Sequence, residues 1–391
     1  MNFHAPTSFT GYTETLPWGS PGIYTYLEVA AGGNRGESSG INVRTDAEAV
    51  SVWIADAGSS SINTEQAYRR EAERLLLWAT YMKGKSLSQL FREDFLDFSL
   101  FLSDLPPDWI MTTRHKRDSL NWRPFLGQPS LSSQRHTMTI LKSLINYLVD
   151  ASWLKHNPMP ASKSKKYNKP SPTLRSLYPH EVECISRYLD SMPEKTKQKA
   201  TIKARDQWLF CLFWTMAPRR GEVALPMGSF VRRPINGELT WIWEIVGKGN
   251  KEDELILHPK AILKLMEFRT RLKVSALPHH NDPIPIMPSL EGLTPEGTLR
   301  KIPSAMTPSA IHKRFKKIFH GAAEIAEREG IDSHQLRKCS THWLRHTSIR
   351  EMYDKTNDIK VTQQHARHSD INTTAYYARQ DLKKMKEIMF S

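Results

Sequence analysis

Apolar residues recur at helical spacing along most of the chain, and the breaks between them set out the elements. TDAEAVSVWIADAG carries Val50, Trp53 and Ile54 as one stripe, and Thr45 followed three residues later by Glu48 has the form of a capping box. NTEQAYRREAERLLLWATYM places Tyr68, Leu75, Leu76 and Ala79 on one face and Arg69, Arg70 and Arg74 on the other. A third helix is predicted in REDFLDFSLFLSD. The segment PPDWIMTTRHKRDSLNWRPFLGQPS, rich in proline and tryptophan, reads as an ordered loop. The helix in SSQRHTMTILKSLINYLVDASWL then runs to His156-Asn157-Pro158, where proline stops it. Residues 41–160 therefore read as an all-helical domain.

Residues 161–176, ASKSKKYNKPSPTLRS, have no apolar stripe and read as an extended basic linker. Lys163, Lys165 and Lys166 suit a strand lying along a phosphate backbone. Beyond it, Pro179 sits at a first helical position, and KARDQWLFCLFWTMA is apolar around most of its circumference, as a buried helix is. The period then shortens. LTWIWEIVGKG and DELILHP read as two short strands joined by a Gly-Lys-Gly-Asn turn. The remainder is helical, apart from a loop rich in proline and histidine around residues 277–305. The predicted fold is mainly α with two domains, the second, residues 177–391, being mixed α+β with a small β-hairpin sheet and an amphipathic tail helix. Residues 1–40 hold seven of the nineteen glycines and show no periodicity, so a flexible extension is expected there.

Charge narrows the function. The net charge is +14, yet residues 1–60 contain six acidic side chains against Arg35 and Arg44, so the positive charge lies wholly in the body that follows. A globular body that basic favours a polyanionic partner, with nucleic acid the common case, and Arg69, Arg70 and Arg74 are the helical-domain cations expected to bind DNA. The acidic start argues against a DNA-binding arm. No apolar run approaches bilayer length, and MNFHAPTSFTGYTE lacks the basic and apolar regions of a secretory signal. Cys184, Cys211 and Cys339 fit neither a disulfide framework nor zinc spacing, and a reducing cytoplasm is the expected location.

Chemistry-bearing residues cluster in the second domain. In APRRGEV, Arg219 and Glu222 are three apart, so the carboxylate can orient the guanidinium. Arg219 rather than Arg220 has that spacing. VGKGNKED sets Lys248 between two glycines; the upstream glycine and following Ser or Thr of a Walker A loop are missing. In THWLRHTSIR, His342 and Arg345 share a helix face, while the His342–His346 spacing lacks the glutamate of a zinc helix. Finally, HARHSDINTTAYYAR holds His365, His368 and the adjacent Tyr376 and Tyr377, of which one side chain should face the core and the other water.

In that order, Arg219 with Glu222, Lys248, His342 with Arg345, His368, and Tyr377 nine residues further on resemble the tyrosine recombinase (phage integrase) family. The match is strong over residues 175–391 and looser over the upstream helices, which resemble the family's core-binding domain. Two turns depart from its pattern: Met216-Ala217-Pro218 replaces Thr-Gly-Leu, and Ala366-Arg367 replaces Leu-Gly. The resemblance implies a site-specific recombinase, carried by a mobile element, that cuts and rejoins double-stranded DNA without metal or cofactor. Tyr377 would be the nucleophile, giving a 3′-phosphotyrosyl intermediate. Arg219, Arg345 and His368 would hold the phosphate, Lys248 would protonate the leaving oxygen, and His342 would handle the tyrosine proton. The spacing from His368 selects Tyr377 and leaves Tyr376 a packing or positioning residue. The resemblance further implies a tetramer on DNA, with the tail helix bearing Leu382, Met385, Ile388 and Met389 docked on a neighbouring protomer. A catalytically silent DNA-binding regulator, or a telomere-resolvase or topoisomerase-like enzyme with the same residues, stays open at this point.

Overall fold

The computed structural model describes residues 32–59, 61–116, 119, 121–159, 175–246, 252–378 and 389, and the chain divides into two compact units, residues 1–166 and 167–391. The first unit is helical: α1 (Asp46–Gly58), α2 (Ile62–Trp78), α3 (Arg92–Ser103) and α4 (Leu131–Asp150). Thr45 and Glu48 form the expected capping box, the Thr45 hydroxyl accepting the Glu48 amide at 3.1 Å. The apolar stripes meet in one core containing Trp53, Trp78, Phe95, Phe98 and Trp109, so the loop tryptophan belongs to the core. Buried Asp46 accepts from Trp153 Nε1 at 2.9 Å and from the Ser88 amide at 2.7 Å, tying the start of α1 to the chain beyond α4.

The extension expected over residues 1–40 is packed from residue 32 onward. The Gly32 amide donates to Ser88 Oγ and the Gly36 amide to the Trp153 carbonyl, both at 3.0 Å, and the Arg35 guanidinium lies 3.7 Å from the Trp153 ring centre. A Cβ at Gly32 would meet the Ser88 carbonyl at 2.1 Å, and one at Gly36 the Ser152 carbonyl at 2.0 Å. These glycines permit close backbone approach rather than motion. Main-chain contacts of this kind leave no hydrophobic period to read.

The second unit contains α5 (Pro179–Ser191), α6 (Lys197–Met216), β1 (Phe230–Ile235), β2 (Glu238–Val246), β3 (Glu252–Ile256), α7 (Pro259–Arg271), α8 (Pro308–Arg328), α9 (His334–Lys338), α10 (Thr341–Thr356), α11 (Ile359–Ala366) and α12 (Ile371–Ala378). The mainly α class and the small antiparallel sheet agree with expectation, with β1 added: Phe230 stands opposite Trp243, and Val246 opposite Glu252. FVRRPI escaped the pattern because its Arg232, Arg233 and Pro234 side chains are exposed. Helix α6 runs through the core with Trp208, Leu209, Leu212 and Phe213 fully buried. Helix α10 packs on α6, α11 and α12, which brings four chain segments to one place.

Candidate active site

That place forms where helices end. A helix leaves its last carbonyls unpaired, and a cation there offsets the partial negative charge. Helix α6 stops at Ala217 (φ 48°), followed by Pro218, and α11 stops at Arg367 (φ 50°). Both turns are left-handed, the conformation glycine adopts at no steric cost. Arg345, on α10 and 5% exposed, donates to both helix ends: Nη1 to the Ala217 carbonyl and Nη2 to the Ala366 carbonyl. Burial, then the cations of Arg367 and Arg219, pull its pKa down to about 10, so it stays charged at neutral pH.

Glu222 is the buried carboxylate of this cluster. It accepts the Arg219 amide at 2.7 Å, Arg219 Nη1 at 3.1 Å and Arg367 Nη2 at 2.5 Å. Arg219 Nη2 reaches the Arg367 carbonyl at 3.0 Å, and the rest of its side chain is open to solvent. Two guanidinium groups thus bind one buried carboxylate with that of Arg345 close by, and the surplus charge is positive. His368 is fixed beside them: its Nδ1 pairs with buried Thr374 at 3.0 Å, and its carbonyl accepts Gln363 Nε2 at 2.9 Å. Desolvation, then Arg345 and Arg219, hold His368 down to about 4, so its ring is neutral at pH 7.

Tyr377 on α12 is 5% exposed, and its hydroxyl pairs with His346 Nδ1. Burial pushes the phenol above its ordinary range, partly opposed by Arg345. Burial also holds His346 down to about 3, helped by His342, whose ring stands edge-on at 4.2 Å. The imidazole on the tyrosine is therefore His346, where His342 was expected; His342 backs it. The tyrosine pair is also reversed in burial: Tyr377 is inside and Tyr376 is 47% exposed, so Tyr376 is not the packing residue. His365 is paired with Ser348 Oγ at 2.9 Å.

A model described as "Phage integrase family" matches residues 175–384. The chain belongs to the phage integrase family of tyrosine recombinases. Tyrosine recombinase XerD of Rickettsia bellii (strain RML369-C) is 23% identical over 325 residues, covering 81% of this chain and 95% of the relative. Tyrosine recombinase XerC of Chromohalobacter salexigens is 23% identical over 258 residues, covering 66% and 71%. Among solved structures, XerH site-specific recombinase bound to palindromic difH substrate aligns with a TM-score of 0.59 at 18% identity, covering 87% of this chain and 83% of that one. The Tn1549 transposon integrase (residues 82–397) in complex with circular intermediate DNA aligns at 0.54 with 12% identity, covering 89% and 99%. The fold is that of two-domain tyrosine recombinases, and the protein is a site-specific recombinase, an enzyme of DNA breaking and rejoining.

In this recombinase Arg219, Glu222, His342, Arg345, His368 and Tyr377 lie in one cluster, as the motif order predicted. Lys248, in the connection between β2 and β3, lies outside the described residues, as do Lys163, Lys165, Lys166 and most of the tail. Two members of the cluster went unrecognised. His346 follows Arg345 directly and was weighed only as a metal ligand; among the described residues no group of three or more potential ligands could hold a metal ion. Arg367 occupies a position where the family pattern has glycine.

The helical unit corrects the expectation for Arg74. It is 16% exposed, gives Nη1 to Glu71, gives Nε and Nη2 to the Pro124 carbonyl, and lies 4.2 Å from the Phe125 ring centre. Those donors are spent inside the domain. Arg69 and Arg70 pair with Glu65 and Glu71 yet keep exposed surface. Beside them a cleft of about 340 Å³ is lined by Arg70, Arg114, His115 and Arg123, with Glu73 and the already paired Arg74 also in its wall. That the loop's Arg114, His115 and Arg123 line this cleft was not legible, because a loop has no period that assigns its side chains to a face.

Proposed function

We propose that this recombinase cuts and rejoins double-stranded DNA at specific sites through a 3′-phosphotyrosyl intermediate on Tyr377 and a Holliday junction, in the service of a mobile element. The observation that carries the reading is the pairing of a buried tyrosine hydroxyl with an imidazole beside Arg345 and beside two guanidiniums, of Arg219 and Arg367, that share one buried carboxylate. Such a site carries surplus positive charge and suits an anion of phosphate type. Arg219 and Arg345 donate to the nonbridging oxygens, with His368 as a third donor, its Nδ1 being held by Thr374. Tyr377 Oη attacks phosphorus and its proton passes to His346 Nδ1. The bond from phosphorus to the 5′ oxygen breaks, and Lys248 protonates that oxygen. One phosphoester replaces another, so the strand can be rejoined by the 5′ hydroxyl without an external energy source. Burial, then His342 and Arg345, hold His346 down to about 3 in the free enzyme, and a phosphate beside Arg345 would oppose the last of these causes.

Arg69, Arg70, Arg114 and Arg123 are the cations we assign to DNA in the helical unit, and Lys163, Lys165 and Lys166 to the linker's path along the backbone. A tetramer assembled on two sites is the expected active form, since a Holliday junction joins two duplexes. The test is a nicked suicide substrate that traps the covalent adduct. Wild type and Tyr376→Phe should become attached to DNA and Tyr377→Phe should not. His346→Phe should slow attachment by about 10²-fold or more, the usual worth of a positioned base. An adduct on Tyr377→Phe, or its loss only on Tyr376→Phe, would refute the assignment.

A further inference from the structure

Arg367 occupies a backbone conformation that suits glycine, and what its side chain touches accounts for its presence. A non-glycine residue at φ 50° is strained, and persists where surrounding contacts over-determine it. The guanidinium is 3% exposed, bonds Glu222 at 2.5 Å, and holds Nε 4.0 Å from Asp253 Oδ2 on β3. Its Nε and Nη1 have no hydrogen-bond partner among the described residues. The left-handed turn also aims the Arg367 carbonyl at Arg219 Nη2, 3.0 Å away. Arg219 is thus gripped twice through one residue: directly at Nη2, and at Nη1 through Glu222, whose second oxygen Arg367 occupies. A carboxylate held at one end by a buried cation cannot swing with the half-exposed guanidinium at its other end.

We propose that Arg367 is a positioning residue for Arg219, fixing the Glu222–Arg219 pair so that the exposed guanidinium meets a nonbridging oxygen of the scissile phosphate. The inference rests on the reading of the site as a DNA-cleaving centre. Arg367 is assigned no contact with the phosphate: its Nη2 is taken by Glu222 and its carbonyl by Arg219, so it acts through Arg219. The same salt bridge would exist if Arg367 served stability alone, so the test must separate the two roles.

The chemistry of Arg219 supplies the separation. A scissile methylphosphonate carries no charge on its nonbridging positions, so a misplaced Arg219 matters less for it than for a phosphate. Single-turnover adduct formation is measured on both substrates with Arg367→Gly and Arg367→Lys. Glycine suits the turn, so Arg367→Gly keeps the backbone, checked by its melting temperature. Arg367→Gly should cleave the phosphate about 10-fold or more slowly than wild type, in the range a small misplacement of a catalytic group produces. On the methylphosphonate its deficit should shrink to about 2-fold, and Arg367→Lys, which keeps a charge on Glu222 without the fork, should fall between. Equal slowing on both substrates, or none on either, overturns the proposal. If wild type forms no adduct with phosphate DNA, the reading of the active site fails instead, and that outcome is visible before any Arg367 variant is compared.

Discussion

Replacing Glu222 with glutamine keeps the side chain's shape and removes the buried carboxylate around which the arginines gather. The carboxylate accepts three donors, two from Arg219 and one from Arg367. An amide retains one acceptor oxygen but turns its nitrogen toward a guanidinium or amide that is also a donor. Losing one or two hydrogen bonds to a charged group costs about 1.5–3 kcal/mol each. Burial, then Arg367 and Arg219, already draw Arg345 down to about 10, with Glu222 opposing, and the substitution removes that opposing charge. A net loss of about 3 kcal/mol for the second unit follows, at the low end of what breaking a buried ion pair costs. Equilibrium urea unfolding followed by tryptophan fluorescence reads it as a lowered midpoint at unchanged slope. Adduct formation on the suicide substrate should fall with it, because Arg219 loses its orienting partner. A midpoint change worth less than about 0.5 kcal/mol, the size of an ordinary surface substitution, together with an unchanged rate would show that the carboxylate does not hold the cluster.

Two further outcomes are expected. Arg74→Ala should destabilise the helical unit by about 2–3 kcal/mol, leaving nearly buried Glu71 with Arg70 and Thr137 only, while the salt dependence of DNA binding keeps its slope; a slope reduced by about one, with stability intact, would return Arg74 to the DNA surface. His365 and His368 both bind a proton less readily in the folded chain, near pH 4 against 6.5 when unfolded. Their folded values are depressed, so their contribution is fully present above about pH 6.5 and is lost as pH falls toward 4. It amounts to at most about 3 kcal/mol for each. Melting temperature should therefore drop over that window, and a rise on acidification would contradict the burial of neutral imidazoles.

Residues on one helix or one turn were legible from the sequence alone. The capping box at Thr45, the buried course of α6, the shared face of His342 and Arg345 and the nine residues from His368 to Tyr377 are all spacings within a short stretch, where backbone geometry dictates direction. Family order then joined them into one site. Contacts between distant segments were decided by the tertiary structure. Arg345 reaches Ala217 across 128 residues, Arg367 reaches Glu222 across 145, and the tyrosine hydroxyl meets His346 across 31, each depending on how α6, α10, α11 and α12 pack. No local period says which of two adjacent tyrosines turns inward, or that an arginine on a polar helix face spends its donors on a neighbouring loop carbonyl. Periodicity locates faces; only packing, through burial and the need to satisfy charge inside it, decides what each face meets.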